Sequence, residues 1–451
     1  MKESCQSMKR VLIISYFFYP STAVGARRIY NLQKYLSKFG VSTDVLTVKA
    51  SAYPEIDKKL ESVEENVFRS STLGPVKVTN RGEGETFLAG LLRRSRYVLS
   101  KIAGHILFPD EYVGWFPFAL TKGMRLLKTS HYDLIISSGH PWSVFMIGDW
   151  LSRLTGVPHV MDYRDPWTAY DNNWFPSKLK RAASNTYEKG LVKRANKIIV
   201  NTKAVEAMFK KEFGNDVQSK IKVIRNGFDE EVAKLFSEET LPPRIQRNKF
   251  RLVHTGMFYR SRNLGTLLQA IRVLRDEKVL SEINFELISF GALTGNDNRY
   301  IESNGLKDLV CECKYKSYQE SLEELSCGSM LLLAVGADHG PMVPAKFFDY
   351  LMVRRPIFCL GPEQAEVKDM MSVSNRGLYC HIYDEGNVEK TLREAFNNWM
   401  TGEYDSMLPE ASEFSISFQV KELIKFIFPT WQSPTDSTKF ESKATISKGL
   451  G

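Results

Sequence analysis

Residues 10–49, RVLIISYFFYPSTAVGARRIYNLQKYLSKFGVSTDVLTVK, decide the reading of the fold. RVLIISY (10–16) is a continuous apolar run, as a parallel strand buried on both faces requires. In residues 26–39 the apolar side chains Ile29, Leu32, Tyr35, Leu36 and Phe39 recur at helical spacing, and Gly40 stops the helix. STDVLTVK then reads as a second strand. Strand, loop, helix and strand in that order form the repeating unit of a doubly wound sheet.

The same alternation continues outward. HYDLIISS (131–138) predicts a strand, residues 141–156 a helix closed by Gly156, VPHVMDYRD (157–165) a strand, 178–194 a basic helix, NKIIVNT (196–202) a strand and 203–213 a helix. At 240–249 the chain turns polar and proline-bearing, which places a domain boundary there. A second alternating series follows. FRLVHTG (250–256), INFELISFG, LVCECKY, SMLLLAVG and RPIFCLG are its strands, with helices at 263–277, 319–326 and 344–353. The expected class is α/β, with two Rossmann-like doubly wound domains at 1–240 and 241–411. A helix at 412–429 and a polar, disordered tail at 430–451 complete the chain. Two such domains joined by a linker leave a cleft at strand carboxyl ends, where these folds bind ligands.

Bulk properties narrow the function. The 451 residues are too many for one ordinary core. No uninterrupted apolar stretch is long enough to span a bilayer. The first apolar run lacks a small-residue cleavage site, so it reads as a strand and not a signal peptide. Cys5, Cys311, Cys313, Cys327, Cys359 and Cys380 show no Cys-x-x-Cys spacing. They are expected to be buried free thiols in a reducing compartment. The net charge of +9 comes with no nucleic-acid reading motif, and it suits an anionic substrate or membrane.

Several loops carry chemistry. In the first, Gly25 lets a ligand approach the backbone at a helix start. Arg27 and Arg28 oppose the helix dipole there, so they are expected to face negative charge. The strand at 157–165 ends in Asp162-Tyr-Arg164-Asp165, where two carboxylates flanking an arginine could orient a substrate hydroxyl or form a structural ion-pair cluster. His140 ends the strand before it. In the second domain Arg260 and Arg262 follow His254-Thr255-Gly256 and suit a diphosphate at the next helix start. Lys346 and Asp349 lie on one face near a helix start, where lysine can meet phosphate and a carboxylate can accept sugar hydroxyls; taken alone they could be an intrahelical ion pair.

Six of these segments, in order over roughly residues 10–428, resemble the retaining glycosyltransferases of family 4 and their two-Rossmann GT-B architecture. They are VLIISYFFYPSTAVGARR, DLIISSGHPWS, GVPHVMDYRDPW, KIKVIRNGFD, FRLVHTGMFYRSRN and VPAKFFDYLMVRRPI. Within the family the chain is most similar to the bacterial branch that builds surface polysaccharide, lipopolysaccharide among it. The resemblance implies a nucleotide-diphosphate sugar as donor, with net retention at the sugar carbon and no cofactor or metal. It puts Gly25 beside donor phosphate and acceptor, and Arg262 and Lys346 on the leaving diphosphate. Asp349 then holds the donor ribose, Arg164 stands beside the reacting sugar, and Asp162 and Asp165 are candidates for acceptor activation. Arg27, Arg28 and His140 remain acceptor or cleft residues. Two positions depart from the pattern: the first acid of the paired signature falls at Pro341, and its companion arginine at Met257. An inactive scaffold, or a nucleotide-sugar epimerase on the same fold, are the alternatives.

TFLAGLLRRSRYVLSKIAGHILF (86–108) interleaves Arg93, Arg94, Arg96 and Lys101 with leucines and aromatics and contains no acid. Such a basic amphipathic segment can lie on an anionic bilayer, with FPDEYVGWFPF (108–118) adding aromatic anchors. The expected place is the cytoplasm, peripheral on the inner face of the cell membrane, with a glycan or lipid-linked acceptor and no nucleic-acid partner.

Overall fold

A computed structural model describes residues 8–57, 60, 65–74, 106–170, 175–236, 249–259, 261–404 and 408–431. The chain divides into two compact units, residues 1–225 with 419–451, and residues 226–418.

The first unit holds seven parallel strands: β1 (Arg10–Ile14), β2 (Ser42–Val48), β3 (Val67–Ser70), β4 (Leu134–Gly139), β5 (His159–Tyr163), β6 (Lys197–Val200) and β7 (Ile221–Val223). Their order across the sheet is β3-β2-β1-β4-β5-β6-β7. β1 is buried from Val11 to Ile14, so no polar face is left to alternate. The direction of winding reverses at β1 and β4, which pair as Val11 with Leu134 through Ile14 with Ser137. At such a switch point the loops leaving the strands diverge and open a crevice. Gly25 and Arg28 follow β1, and His140 follows β4, so both loops issue from that point.

The second unit holds β8 (Phe250–Thr255), β9 (Phe285–Phe290), β10 (Val310–Cys313), β11 (Met330–Ala334), β12 (Ile357–Gly361) and β13 (Gly377–His381), ordered β10-β9-β8-β11-β12-β13 and all parallel. Its switch point lies at β8 and β11. Each face of this sheet has its own core. One is built on Phe250, Leu268, Ile271, Leu332 and Phe358, the other on Val253, Leu331, Leu333, Phe347 and Tyr350. Opposite-face burial of neighbouring strand residues follows from the period of two.

The division differs from the boundary drawn at 240. After Arg225 the chain pairs with residues 414–416: Phe228 N donates to Phe414 O (3.1 Å) and Ile416 N to Phe228 O (2.9 Å). That backbone ladder ties residues from 226 onward to the second unit, and a polar composition does not reveal it. Helix Ile416–Ile427 carries the chain back to the first unit, so the terminal helix is not a separate appendage. Residues 432–451, most of the tail, lie outside the described residues, as do residues 86–105 of the basic amphipathic segment. Of the aromatic anchors read after that segment, Trp115 is fully buried and its indole N–H donates to Ser70 Oγ (2.8 Å); it is a core residue, not a membrane anchor. No helix among the described residues is long and apolar enough to cross a membrane.

Candidate functional site

In the first unit the switch-point residues form one hydrogen-bonded constellation. Arg28 is the fifth residue of helix Val24–Lys38, just past a first turn that carries no acid. Its guanidinium meets Asp162 in a two-point pair, Nη2 to Oδ1 at 2.7 Å and Nε to Oδ2 at 3.1 Å. The negative charge this arginine faces is thus a carboxylate of the chain itself. Ser138 Oγ donates to the same Oδ2 at 2.7 Å. Asp162 is 1% exposed. Burial pushes its carboxyl up, yet Arg28, the Ser138 hydroxyl and Arg164 together bring it below the ordinary carboxylate range. Asp162 is therefore a held anion at the root of the loop. Of the two readings of this cluster, the buried ion pair describes Asp162.

Arg164 lies over the first loop. A Cβ added to Gly25 would stand 1.2 Å from Arg164 Nη1, so only glycine leaves room for the guanidinium. Arg164 Nε donates to Gly139 O at 3.2 Å, and Nη2 donates to His140 O. The half-buried cation is pulled down in pKa by burial, while Asp165 and Asp162 push it back up. His140 is lowered to about 4 by burial and by Arg164, so its ring is neutral at pH 7. That ring stands edge-on to Tyr112 (5.7 Å) and Trp142 (5.6 Å). Phe17 reaches Tyr112 at 5.8 Å, and Phe17, Tyr112 and His140 make a half-buried aromatic surface backed by the buried Trp142. The sequence reading missed it, since Phe17, Tyr112 and Trp142 lie far apart along the chain. Arg27 and Asp165 are half-buried; Asp165 acts on Arg164 through its charge.

In the second unit the corresponding point is the end of β8. Gly256 has φ +108°, a conformation that favours glycine, and a Cβ there would lie 2.1 Å from Lys346 Nζ. Lys346 stands in the first turn of helix Ala345–Met352. It is lowered to about 8 by burial and by Arg262, against a smaller opposing effect of Asp349. Arg262 packs its guanidinium over the Tyr259 ring at 5.1 Å, and its Nε is buried without a hydrogen-bond partner. His254 donates from Nδ1 to Leu332 O at 2.8 Å, and its buried Nε2 has no partner. Burial, Lys346 and Arg262 hold the imidazole well below its usual pKa. His254 was read only as a strand end. Its signal was a polar residue closing an apolar strand just before glycine.

Lys346 and Asp349 close no ion pair with each other among the described residues; Asp349 accepts from Tyr318 Oη at 2.9 Å instead. The structure thus brings Gly256, Arg262, Lys346 and His254 together, with Asp349 on the same helix. Arg260 lies outside the described residues. Two cations crowd each other beside an open backbone turn and a helix start, with no carboxylate at ion-pair distance among the described residues. A multiply charged anion relieves that repulsion and satisfies the buried Nε. Among the described residues no group of three or more His, Cys, Asp or Glu could hold a metal ion.

Comparison with known proteins bears on the first unit and on the fold. The model of Glycosyltransferase Family 4 matches residues 25–232, from the glycine under Arg164 to just past β7. Those residues are similar to a glycosyltransferase family 4 domain. Part of the chain is 31% identical over 144 residues to the alpha-1,3/1,6-mannosyltransferase of Schizosaccharomyces pombe. That match spans 31% of this chain and 28% of that protein. The two-sheet fold is shared with solved structures of low identity. Sucrose-phosphate synthase from Thermosynechococcus elongatus is 14% identical, with 94% of this chain and 100% of that one covered and a TM-score of 0.58. An E. coli trehalose-6-phosphate structure bound with UDP-2-fluoro glucose is 12% identical, with 93% and 99% covered and a TM-score of 0.58.

Proposed function

We propose that the chain is a retaining glycosyltransferase that moves a sugar from a nucleoside-diphosphate sugar to a glycan or lipid-linked glycan in surface polysaccharide synthesis. The observation that carries this reading is the pair of crowded cations, Lys346 and Arg262, at Gly256. A diphosphate fits there, and the same groups stabilise the charge that grows on it as the sugar departs. Asp349 is placed on the same helix to accept ribose hydroxyls. In the first unit Arg164, Asp165 and neutral His140 serve the acceptor and the reacting sugar, while Asp162 and Arg28 hold Arg164's loop in shape. The aromatic surface of Phe17, Tyr112 and His140 suits the face of a sugar ring. The excess of 61 Lys and Arg over 52 Asp and Glu favours work at an anionic membrane face, on the cytoplasmic side.

The test is incubation with a panel of nucleotide sugars and membrane lipid extract, reading released nucleotide and the stereochemistry of the product. Release that requires the lipid extract, from one donor, with the anomeric configuration kept, is the expected result. A sugar converted to its epimer without any acceptor supports the epimerase alternative. Failure of every nucleoside diphosphate to bind leaves a scaffold.

A further inference from the structure

The six cysteines read as buried thiols, and Cys359 and Cys380 are; Cys311 and Cys327 are exposed and Cys313 is half-buried. The departure has a physical cause. β10 is an edge strand of its sheet, and among the described residues its Cys-Glu-Cys end has no strand on its outer side. Residues two apart on a strand share a face. Cys311 Sγ and Cys313 Sγ accordingly lie 3.5 Å apart. Burial and the hydrogen bond with Cys311 push the Cys313 thiol up to about 11, so in neutral water it keeps its proton and Cys311 meets a reagent first.

We propose that Cys311 and Cys313 form a vicinal dithiol site for a single trivalent thiophilic centre, an organoarsenical of the type R–As(OH)2. A pyramidal trivalent centre with sulfur bonds of about 2.3 Å, the length of a metal–thiolate bond, and an angle near 100° between them sets two sulfurs roughly 3.5 Å apart. The pair already stands at that spacing. A disulfide needs the sulfurs at about 2.05 Å and forces the strand to contract. The arsenical already carries one carbon substituent, so two thiolates complete its three bonds. The step balances: two S–H and two As–OH bonds break, two As–S bonds form, two waters leave, and arsenic stays trivalent. Cys327, capping helix Tyr318–Ser326, offers a lone exposed thiol. The site adjoins the Gly256 turn. Cys313 O accepts from Gly291 N at 3.1 Å, and a Cβ on Gly291 would stand 2.6 Å from Gly256 O.

The experiment titrates the full-length reduced protein with phenylarsine oxide and maps the adduct by peptide mass. Trypsin releases residues 308–314 with both thiols in one peptide. One arsenical bridging that peptide is expected, removed by 2,3-dimercaptopropanol but resistant to an equal concentration of a monothiol. C311S and C313S are each expected to weaken capture about 100-fold or more, because the second bond becomes intermolecular, while C327S leaves it unchanged. Capture that survives in either single variant, maps to Cys327, or reverses equally well with the monothiol overturns the proposal. Circular dichroism on each variant separates loss of the site from loss of fold.

Discussion

The lysine beside Gly256 makes a quantitative demand on donor binding. Lys346 is lowered to about 8 in the free protein, by burial and by the Arg262 charge. A diphosphate restores its ordinary preference for the charged form, so binding takes up a proton whenever the free lysine has lost one. Below pH 8 the lysine is already charged and affinity is level. Above it, each pH unit costs about one factor of ten, about 1.4 kcal/mol, and at pH 9 the dissociation constant is about tenfold that at pH 7. Removing the charge with Lys346→Ala costs one charge-assisted hydrogen bond of about 1.5–3 kcal/mol, or roughly 10- to 150-fold in affinity at pH 7. It also abolishes the rise between pH 7 and 9. Isothermal titration of the preferred nucleoside diphosphate into both proteins at several pH values is the assay. The alanine variant serves as the blank for ionisation of the ligand itself. His254 stays neutral throughout this range, so it contributes no competing step. Identical pH slopes in the two proteins, or a wild-type slope centred well away from pH 8, would refute the placement of phosphate on Lys346.

The remaining predictions concern the first unit. Gly25→Ala puts a methyl group into the Arg164 guanidinium at a helical position where alanine is otherwise favoured by about 1 kcal/mol; turnover is expected to fall about tenfold or more while thermal stability stays within a few degrees, and an unchanged kcat would remove Arg164 from the chemistry. Arg28→Ala strands the buried Asp162 carboxylate and is expected to cost about 3–5 kcal/mol in urea unfolding, with Arg28→Ala/Asp162→Asn recovering a measurable part. Glu188, fully buried and hydrogen-bonded to Thr168 N at 3.0 Å, is raised by burial to about 7. The unfolded chain ionises it near pH 4.5, so stability falls as pH rises from there through 7, by about 3 kcal/mol in all. Glu188→Gln should flatten that part of the stability–pH curve, and an equally steep fall in the variant would assign it to other groups.

The central strands of both sheets could be read from sequence because they are buried on two faces. VLII, after Arg10, and MLLLA carry no polar positions that a helix or a half-exposed strand would need. Two of the edge strands could not. β3 (VFRS) and β13 (GLYCH) are short and partly exposed, so their apolar content falls to that of a loop, and only pairing with β2 and β12 makes them strands. The site divides by the same logic. Gly25, Arg262 and Lys346 stand at helix starts behind apolar strands, where local pattern alone marks an anion-binding backbone. Asp162 looked equally exposed, at the carboxyl end of a strand, yet its role is decided by Arg28, 134 residues away, and by a serine on the neighbouring strand. A sequence shows that three charges end one strand; it does not show which of them a distant arginine has already claimed. Two charges then remain, Asp165 and Arg164, and the backbone carbonyls of Gly139 and His140 hold the Arg164 guanidinium in the space a side chain at position 25 would fill.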